Sequence, residues 1–366
     1  MHAQDLRARW WSSRITGSGR RKWSVRASAE HSGAPAIGPR SPSGTASRPT
    51  RFRPRSSCAP SGSHPGAAST SPRPSHGRRA ACGWLSNVAK PAAPGLRIRR
   101  FAAGEWTEAP DAVVTEEPLQ LLLDGKPLAV VMRTPGADIE LALGLLFAEG
   151  IIRSARDVSG LRISAEAGET EDRVKVESVL VESNQVDVQL AAKPRRKIER
   201  SMLASSACGV CGTQMIEDLR HDLAVLPAGP AFDPVKLPGL VDKLRSGQGV
   251  FERTGGLHAA GLFDADGDIV ALREDIGRHN AVDKVVGRLL LDGRLPAAAM
   301  LLVASGRAGY EIVQKSVGAG IPLLAAVGAP SSLAVALARE FNQTLVGFLR
   351  GDRFNVYSGH QRLTNR

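Results

Sequence analysis

Cysteine is scarce in this sequence, and long apolar runs are absent from it. Only four of the 366 residues are cysteine, whereas secreted disulfide scaffolds are short and dense in cysteine. No apolar run reaches the roughly 18–20 residues that a membrane helix requires. The N-terminus is polar and basic, and it lacks the apolar core of a secretory signal. We therefore expect a cytoplasmic protein with no membrane partner.

The positive charge of the chain lies mostly in its first quarter. The formal net charge is +12 and the pI is near 10.1, values typical of proteins that bind nucleic acids or anionic membranes. Residues 1–95, however, hold about 16 basic and about 2 acidic side chains, so the rest is close to neutral. This tail is rich in Arg, Ser and Pro without periodicity, so we expect it to be disordered. We expect no nucleic-acid partner, and Cys58 and Cys82 in the tail receive no role.

Residues 96–200 are predicted to form a smaller, β-rich N-terminal lobe. The Asp124-Gly125 pair is a hairpin signal between two β-prone runs. Apolar residues at helical spacing predict a helix over 138–149, which ends at Gly150. Two further strands are predicted over 174–181 and 185–190. A basic connector at 193–200 is expected to be a solvated surface.

Residues 201–366 are predicted to form an α/β lobe in which strands and helices alternate. We expect a hairpin over 259–264 and 268–273, and further strands over 299–305, 322–327 and 344–349. Helices are expected over 214–223, 237–246, 281–291, 310–318 and 331–341. This alternation indicates a largely parallel sheet that is covered by helices.

The first candidate site is the Cys208-Gly-Val-Cys211 motif. Sulfur chemistry requires a thiolate, and a helix that follows directly lowers the pKa of a nearby thiol. The second thiol can resolve a persulfide or form a reversible disulfide. A Cys₄ zinc site would need two more cysteines, so a zinc site would have to recruit His258, His279 or another chain. Spacing alone leaves persulfide or redox chemistry and a structural role both open.

Two polar segments follow the cysteines. In the segment 254–260, paired glycines precede His258. This histidine either shuttles protons or orients a sulfur group, or it is simply a packed, hydrogen-bonded residue. The segment 273–284 is dense in charged and polar side chains just before an apolar helix. We expect Asp275 to cap that helix and Arg278, His279 and Asn280 to face an anionic ligand. The alternative for the segment 273–284 is a surface ion-pair network.

Glycine-rich turns recur towards the C-terminus. The turns 304–309 and 328–332 each join a strand to a helix, with Ser331 or Ser332 as the N-cap. Such turns bind phosphates through free backbone N–H groups. Arg350 and Arg353 follow the last predicted strand, at the sheet edge where open α/β sheets bind ligands. The succession of these features predicts an extended phosphorylated ligand.

The cysteine motif, the segment 254–260, the segment 273–287 and the turns over 302–328 together resemble the FdhD family of formate dehydrogenase accessory sulfurtransferases. The resemblance covers roughly residues 100–365, and the segment 274–285 is its most specific part. It implies a three-layer α/β fold similar to that of cytidine deaminases, with a mixed sheet and helices on both faces. Deaminase chemistry is not implied, because His258 is followed by alanines and the cysteine motif lies upstream without the required proline.

The resemblance also implies an activity and a set of partners. Such proteins take sulfur from a cysteine desulfurase as a persulfide and pass it to the molybdenum cofactor, bis-molybdopterin guanine dinucleotide. The cofactor is then inserted into formate dehydrogenase. It is a bound substrate, so neither a permanent cofactor nor a metal is expected. The residues that match the family's site are Cys208 as the persulfide cysteine, Cys211 as its motif partner, and Phe348, Leu349, Arg350, Gly351, Asp352 and Arg353 for cofactor binding.

Two other functions remain as alternatives. A cofactor-binding chaperone without a sulfur step would tolerate replacement of Cys208 but not of Arg350 or Arg353. A zinc-dependent hydrolase would carry about one zinc per chain. We also expect a homodimer, because twofold dimers are the commonest assemblies of soluble proteins.

Overall fold

The computed structural model describes residues 92–164, 169, 171–179, 184–194 and 223–364. All of these belong to one compact unit of the chain, residues 77–366. The predicted disordered tail up to residue 91, the predicted helix up to residue 222 and the predicted lobe boundary at 200/201 lie outside the described residues.

A hairpin and a five-stranded sheet form the first part of the fold. The hairpin, which lies mostly exposed, consists of β1 (Gly95–Ala102) and β2 (Glu105–Ala112). The sheet contains β3 (Glu117–Leu123), β4 (Lys126–Arg133), β5 (Val158–Ser164), β6 (Val176–Val179) and β7 (Gln185–Leu190). Its strand order is β4-β3-β7-β5-β6, with alternating antiparallel and parallel pairs. The helix α1 (Asp138–Ala148) follows β4.

A six-stranded sheet with its helices forms the second part. Its strands are β8 (His258–Phe263), β9 (Ile269–Asp275), β10 (Leu301–Ala304), β11 (Leu323–Ala326), β12 (Thr344–Arg350) and β13 (Arg353–Ser358). The helices are α2 (Leu237–Ser246), α3 (Gly249–Thr254), α4 (Arg278–Leu291), α5 (Tyr310–Gly318) and α6 (Ser332–Glu340). The strand order is β13-β12-β11-β10-β8-β9.

The six-stranded sheet is mixed, as the family resemblance implies. Only β10, β11 and β12 are parallel to one another, whereas β8, β9 and β13 run antiparallel to their neighbours. The prediction of a largely parallel sheet, made from the alternation of strands and helices, is therefore wrong on both sides of the three parallel strands. The reason is that two tight turns, one after β8 and one after β12, reverse the chain and return it as β9 and β13.

Helices cover both faces of the six-stranded sheet. Successive residues of β10 divide between two apolar clusters: Leu301 and Val303 face α2, and Leu302 faces the cluster that includes α4, α5 and α6. Because both faces are covered, β10 and β11 are buried along their whole length. The larger cluster also includes α1 and the five-stranded sheet, so the core draws on both lobes predicted from the sequence.

Two glycines allow α1 and α4 to cross with their backbones in contact. A Cβ atom added at Gly144 would lie 1.9 Å from the Asp283 carbonyl oxygen, and one added at Gly287 would lie 1.9 Å from the Glu140 carbonyl oxygen. Only a residue without a side chain fits at each position. This crossing holds the start of α4 in a fixed position, and the polar segment identified in the sequence occupies that start. Among the helices of the described residues, none is long and apolar enough to cross a membrane.

Candidate functional site

Most of the predicted site residues converge on one edge of the six-stranded sheet. The parallel strands β10, β11 and β12 all end at this edge. Because β8 is antiparallel to β10, its first residue, His258, lies beside the turn that follows β10. The Ser305 N–H donates to the Ala259 carbonyl oxygen (3.0 Å), and the Ala259 N–H donates to Ser305 Oγ (2.9 Å). Since β9 returns to the same edge, α4 begins there as well.

Cys208 and Cys211 lie outside the described residues. The assignment of the persulfide to Cys208, and of the partner thiol to Cys211, therefore stays a prediction.

The second group of predicted site residues, 348–353, forms the end of β12 and its turn into β13. Phe348 has a positive φ of 54°, which is uncommon for a non-glycine residue, and lies at a β-bulge with its side chain 41% exposed. Leu349 is fully buried in the apolar cluster beneath α2. Gly351, Asp352 and Arg353 are exposed. The turn thus presents an aromatic ring and polar side chains to solvent, while Leu349 anchors it to the core.

Arg350 also lies in this turn, and its side chain is exposed. Its Nε donates to the Val327 carbonyl oxygen at 3.1 Å, and in the register of the hairpin it is opposite Arg353. The two arginines are therefore neighbours at the carboxyl end of a parallel strand, as expected from the sequence.

The glycine-rich turns have fewer free N–H groups than the sequence suggests. The Val327 and Gly328 N–H groups donate to the carbonyl oxygens of the preceding turn, at Ala304 and Gly306. The Ser331 N–H donates to the Ala308 carbonyl oxygen, and the Phe348 N–H donates to the Gly328 carbonyl oxygen. These bonds tie the ends of the three parallel strands together. They leave those N–H groups unavailable to a phosphate, so the turns serve chiefly to build the edge.

The polar segment 273–284 is mainly a buried network, which corrects two expectations. Asp275 is 0% exposed and Lys284 is 2% exposed, and their charged groups lie 2.8 Å apart. Asp275 also accepts from the N–H groups of Thr134 and Gly277 and from Asn280 Nδ2. Asp275 is therefore not the N-cap, which is Gly277. The network is not on the surface either, because water is excluded from both charges.

Asn280 and His279 are buried and contact other residues of the protein, whereas the sequence predicted that they face an anionic ligand. Asn280 Nδ2 is bound to the Met132 carbonyl oxygen and to Asp275. His279 is 7% exposed, and its Nε2 lies 3.2 Å from a Glu311 carboxylate oxygen. Burial, followed by the nearby charge of Arg278, lowers the pKa of His279 to about 3. At neutral pH the imidazole is therefore uncharged, so its contact with Glu311 is not an ion pair.

Arg278 is the third residue that was predicted to face an anion, and His258 lies beside it. Among the described residues the Arg278 guanidinium makes no ion pair, and its buried Nε has no hydrogen-bond partner. Both side chains border Gly306: an added Cβ there would lie 3.4 Å from His258 Nδ1 and 3.7 Å from Arg278 Cδ. Burial, together with the Arg278 charge, lowers the pKa of His258 below its ordinary value.

The edge is therefore basic and polar. Arg278, Arg307, Arg350 and Arg353 all belong to it, while the buried Asp275 carboxylate is paired with Lys284 and the Glu311 carboxylate lies against the uncharged His279. In the described part of the chain, no cluster of three or more His, Cys, Asp or Glu side chains could hold a metal ion. The chemistry that these residues support is the recognition of an anionic group.

The fold and this edge define a mixed α/β protein with a basic site at the ends of its parallel strands. The chain belongs to the FdhD/NarQ family, whose family model matches residues 114–364. The family predicted from the cysteine motif and the segment 274–285 is thus confirmed.

Individual relatives are similar over most of their length. The chain is 46% identical over 276 residues to the sulfur carrier protein FdhD of Streptomyces avermitilis, covering 74% of this chain and 95% of that protein. It is 47% identical over 275 residues to the protein of the same name from Mycolicibacterium paratuberculosis, covering 73% and 97%. A crystal structure of a candidate formate dehydrogenase accessory protein from Desulfotalea psychrophila is 22% identical. It has a TM-score of 0.58 and covers 75% of this chain and 100% of its own, which supports the fold.

Proposed function

We propose that this protein is a sulfur carrier that serves formate dehydrogenase. It accepts sulfur from a cysteine desulfurase as a persulfide on Cys208 and transfers it to the molybdenum cofactor, bis-molybdopterin guanine dinucleotide. The observation that carries this proposal is the cysteine pair itself. Outside the tail, Cys208 and Cys211 are the only cysteines in the chain. The name "sulfur carrier protein" that the relatives share supports the same function.

The sulfur step uses the two thiols in succession. The Cys208 thiolate attacks the terminal sulfur of the desulfurase persulfide, and the desulfurase cysteine leaves as a thiolate. A persulfide carries sulfur at the sulfane level, and two electrons are needed to release it as sulfide. Attack by the Cys211 thiolate on Cys208 Sγ supplies those electrons, expels hydrosulfide towards the molybdenum and leaves a Cys208–Cys211 disulfide. A dithiol reductant must then restore both thiols.

The basic edge suits the anionic substrate of this step. The cofactor carries diphosphate groups and flat heterocycles. Arg350 and Arg353 are exposed at the end of β12 and can bind phosphate oxygens through their planar guanidinium groups. The exposed Phe348 ring beside them offers an apolar face for stacking. Residues 348–353 are therefore our candidates for holding the substrate during transfer.

The test is intact-protein mass spectrometry after incubation with a cysteine desulfurase and cysteine. The wild type should gain the mass of one sulfur atom, and a reducing agent should remove it. Cys208→Ala should show no gain, whereas the matched control, Cys58→Ala and Cys82→Ala combined, should gain as the wild type does. The absence of any gain on the wild type would refute the carrier function and favour a chaperone that binds the cofactor without a sulfur step.

A second readout separates carrier from chaperone in cells. A strain that depends on this protein should lose formate dehydrogenase activity with Cys208→Ala, even though the protein remains folded and abundant. Full activity with that variant would contradict sulfur transfer. We further propose that the protein acts in the cytoplasm as a homodimer, which sedimentation analysis of the full chain would test.

A further inference from the structure

The hairpin of β1 and β2 presents an exposed aromatic pair, far in the sequence from the candidate site. Phe101 is 58% exposed and Trp106 is 61% exposed, and their ring centroids are 5.0 Å apart. The Arg99 guanidinium carbon lies 5.3 Å from the centroid of the Trp106 ring. Tryptophan, phenylalanine and arginine are enriched where proteins bind one another. This cluster therefore indicates an interaction surface.

The aromatic pair belongs to one face of the hairpin, which we call the outer face. Residues that are directly opposite each other in two paired strands share a face. The outer face consists of Arg97, Arg99 and Phe101 on β1 and of Trp106, Glu108 and Pro110 on β2. All six are exposed, whereas Ile98 and Ala109 on the other face are partly buried. A two-stranded hairpin is only marginally stable in water, so a second layer on its outer face would stabilise it.

The two strands of the hairpin carry opposite charges. The strand β1 has basic residues and no acidic one, whereas β2 has acidic residues and no basic one. The charged residues are Arg97, Arg99 and Arg100 on β1, and Glu105, Glu108 and Asp111 on β2. The hairpin is thus neutral as a whole but is divided into a basic row and an acidic row. Such a surface is complementary to a second copy of itself in which the two rows have exchanged places.

Only one twofold arrangement brings opposite charges together. Side-by-side pairing about an axis perpendicular to the hairpin places β1 next to β1, or β2 next to β2. Stacking of the outer faces about an axis across the strands also places each strand over its own copy. Stacking about an axis parallel to the strands places β1 of each copy over β2 of the other. Residues keep their level along the strands in that arrangement, so Arg99 lies over Glu108 of the partner subunit and Phe101 over Trp106 of the partner subunit.

We propose that two copies of this chain associate through the outer faces of their hairpins, about a twofold axis parallel to β1 and β2. The proposal names the contact surface of the homodimer and rests on that part of the proposed function. The hairpin precedes residues 114–364, which the family model matches, so this surface lies outside the segment by which the family is recognised. The stacked aromatic rings form the centre of the contact, and the two charged rows fix its orientation.

The size of the outer face sets the expected strength of the dimer. Each strand has 8 residues, which at about 3.3 Å per residue gives a face roughly 26 Å long and about 10 Å wide. The area that such a face buries is below the approximately 800 Å² per partner of a standard interface. We therefore expect a reversible dimer that dissociates on dilution through the micromolar range.

The first test is sedimentation equilibrium of the full chain over a concentration series. Trp106→Ala should raise the dimer dissociation constant at least ten-fold, because each dimer loses two tryptophan side chains from the centre of the contact. The far-ultraviolet circular dichroism should be unchanged, since Trp106 is mostly exposed in the single chain. The matched control is Val235→Ala, which truncates an apolar side chain that is 77% exposed, in the turn before α2. It should dimerise as the wild type does.

A charge-reversal pair tests the orientation. Arg99→Glu and Glu108→Arg should each weaken self-association, because each places like charges over one another in the dimer. Mixing the two variants should restore association as a heterodimer, since both contacts then join opposite charges. The hairpin itself should persist, because the Arg97–Glu108 ion pair within one chain is exposed and contributes little. The control is Arg156→Glu, which reverses an exposed charge before β5 and should leave self-association unchanged.

The possible results separate the surface from the rest of the proposed function. A wild type that stays monomeric up to about 1 mM would refute both the homodimer and its surface. A dimer that neither Trp106→Ala nor the charge reversals weaken would leave the homodimer standing and refute the surface. If Trp106→Ala instead weakens binding to a purified cysteine desulfurase and leaves self-association unchanged, the outer face serves that partner and our assignment is wrong. None of these results bears on sulfur transfer, which the mass measurement on Cys208 tests separately.

Discussion

The crossing of α1 and α4 provides the sharpest stability prediction. Gly144→Ala would place a methyl carbon 1.9 Å from the Asp283 carbonyl oxygen, a backbone atom that cannot rotate away. The helices would have to separate by about 1 Å or more, and a gap of that size forfeits a quarter to a half of each dispersion contact along the crossing. With overpacking costs of about 1–3 kcal/mol and occasionally more, we expect a net loss of roughly 3 kcal/mol in the free energy of unfolding.

Gly239→Ala is the matched control for this change. Gly239 also lies within a helix, α2, but nothing is within 4 Å of an added Cβ. Alanine should therefore only reduce the entropy of the unfolded chain and stabilise the protein by about 0.5–1 kcal/mol. The same glycine-to-alanine substitution should therefore lower the free energy of unfolding at Gly144 and raise it at Gly239. The difference comes only from the contacts that the added methyl group makes.

Urea unfolding followed by far-ultraviolet circular dichroism measures both effects. Tryptophan fluorescence is unsuitable, because four of the five tryptophans precede residue 92 and Trp106 is 61% exposed. The reasoning is refuted if Gly144→Ala unfolds within about 1 kcal/mol of the wild type. Equal destabilisation by Gly239→Ala would also refute it, because helix geometry and not the crossing would then be responsible.

The buried ions of the same region lead to two further predictions. Lys284→Met should cost roughly 3–5 kcal/mol of stability, because it leaves Asp275 charged and without its counter-ion, and adding Asp275→Asn should recover part of that loss in a double-mutant cycle. Urea unfolding of Lys284→Met with almost no loss in the free energy of unfolding would contradict this. The pKa of His279 is lowered from 6.5 to about 3. Between these two pH values, His279 is protonated in the unfolded chain but not in the folded protein. Stability should therefore fall, by about 1.4 kcal/mol per pH unit, as pH decreases from about 6.5 towards 3. The difference in stability between the wild type and His279→Gln should show this slope, and a constant difference would refute it.

The elements that the sequence predicted well are those with strong apolar periodicity. The helix over 138–149, the hairpin around Asp124-Gly125 and the alternating strands and helices after residue 299 all occur within a few residues of their expected bounds. The reason is burial. These segments face a core on one side or on both, so their apolar positions repeat with the period of the element.

Four of the missed elements, β1, β2, α3 and β13, lack that signal for identifiable reasons. The strands β1 and β2 are exposed and carry charges on both sides, so they show no alternation of apolar and polar residues. The short helix α3 has no buried residues, and its start is capped from a distance by Glu274, which accepts from the Val250 and Phe251 N–H groups. The strand β13 lies at the sheet edge and is mostly exposed. None of these long-range or edge effects is visible in a local window of sequence.

The sequence predicted that the candidate residues share one sheet edge, but not which of them have partners within the protein. The strand-to-helix turns and the arginines after β12 do lie together at that edge. The sequence could not show that backbone hydrogen bonds between turns consume the N–H groups of residues 327, 328, 331 and 348. It also could not show which polar residues of 273–284 have partners. Those partners, Thr134, Met132 and Glu311, come from elsewhere in the chain.

The segment 274–285, which is the most specific part of the family resemblance, therefore positions its neighbours more than it forms a binding surface. Burying the Asp275–Lys284 pair gains little net stability, since desolvation offsets most of the attraction. What it does provide is position: Asp275 binds the Gly277 N–H, and Asn280 ties the first turn of α4 to β4. The same first turn carries Arg278, whose guanidinium has no partner within the described chain. The segment therefore acts by fixing positions, because a misplacement of α4 by about 1 Å would displace Arg278 as well.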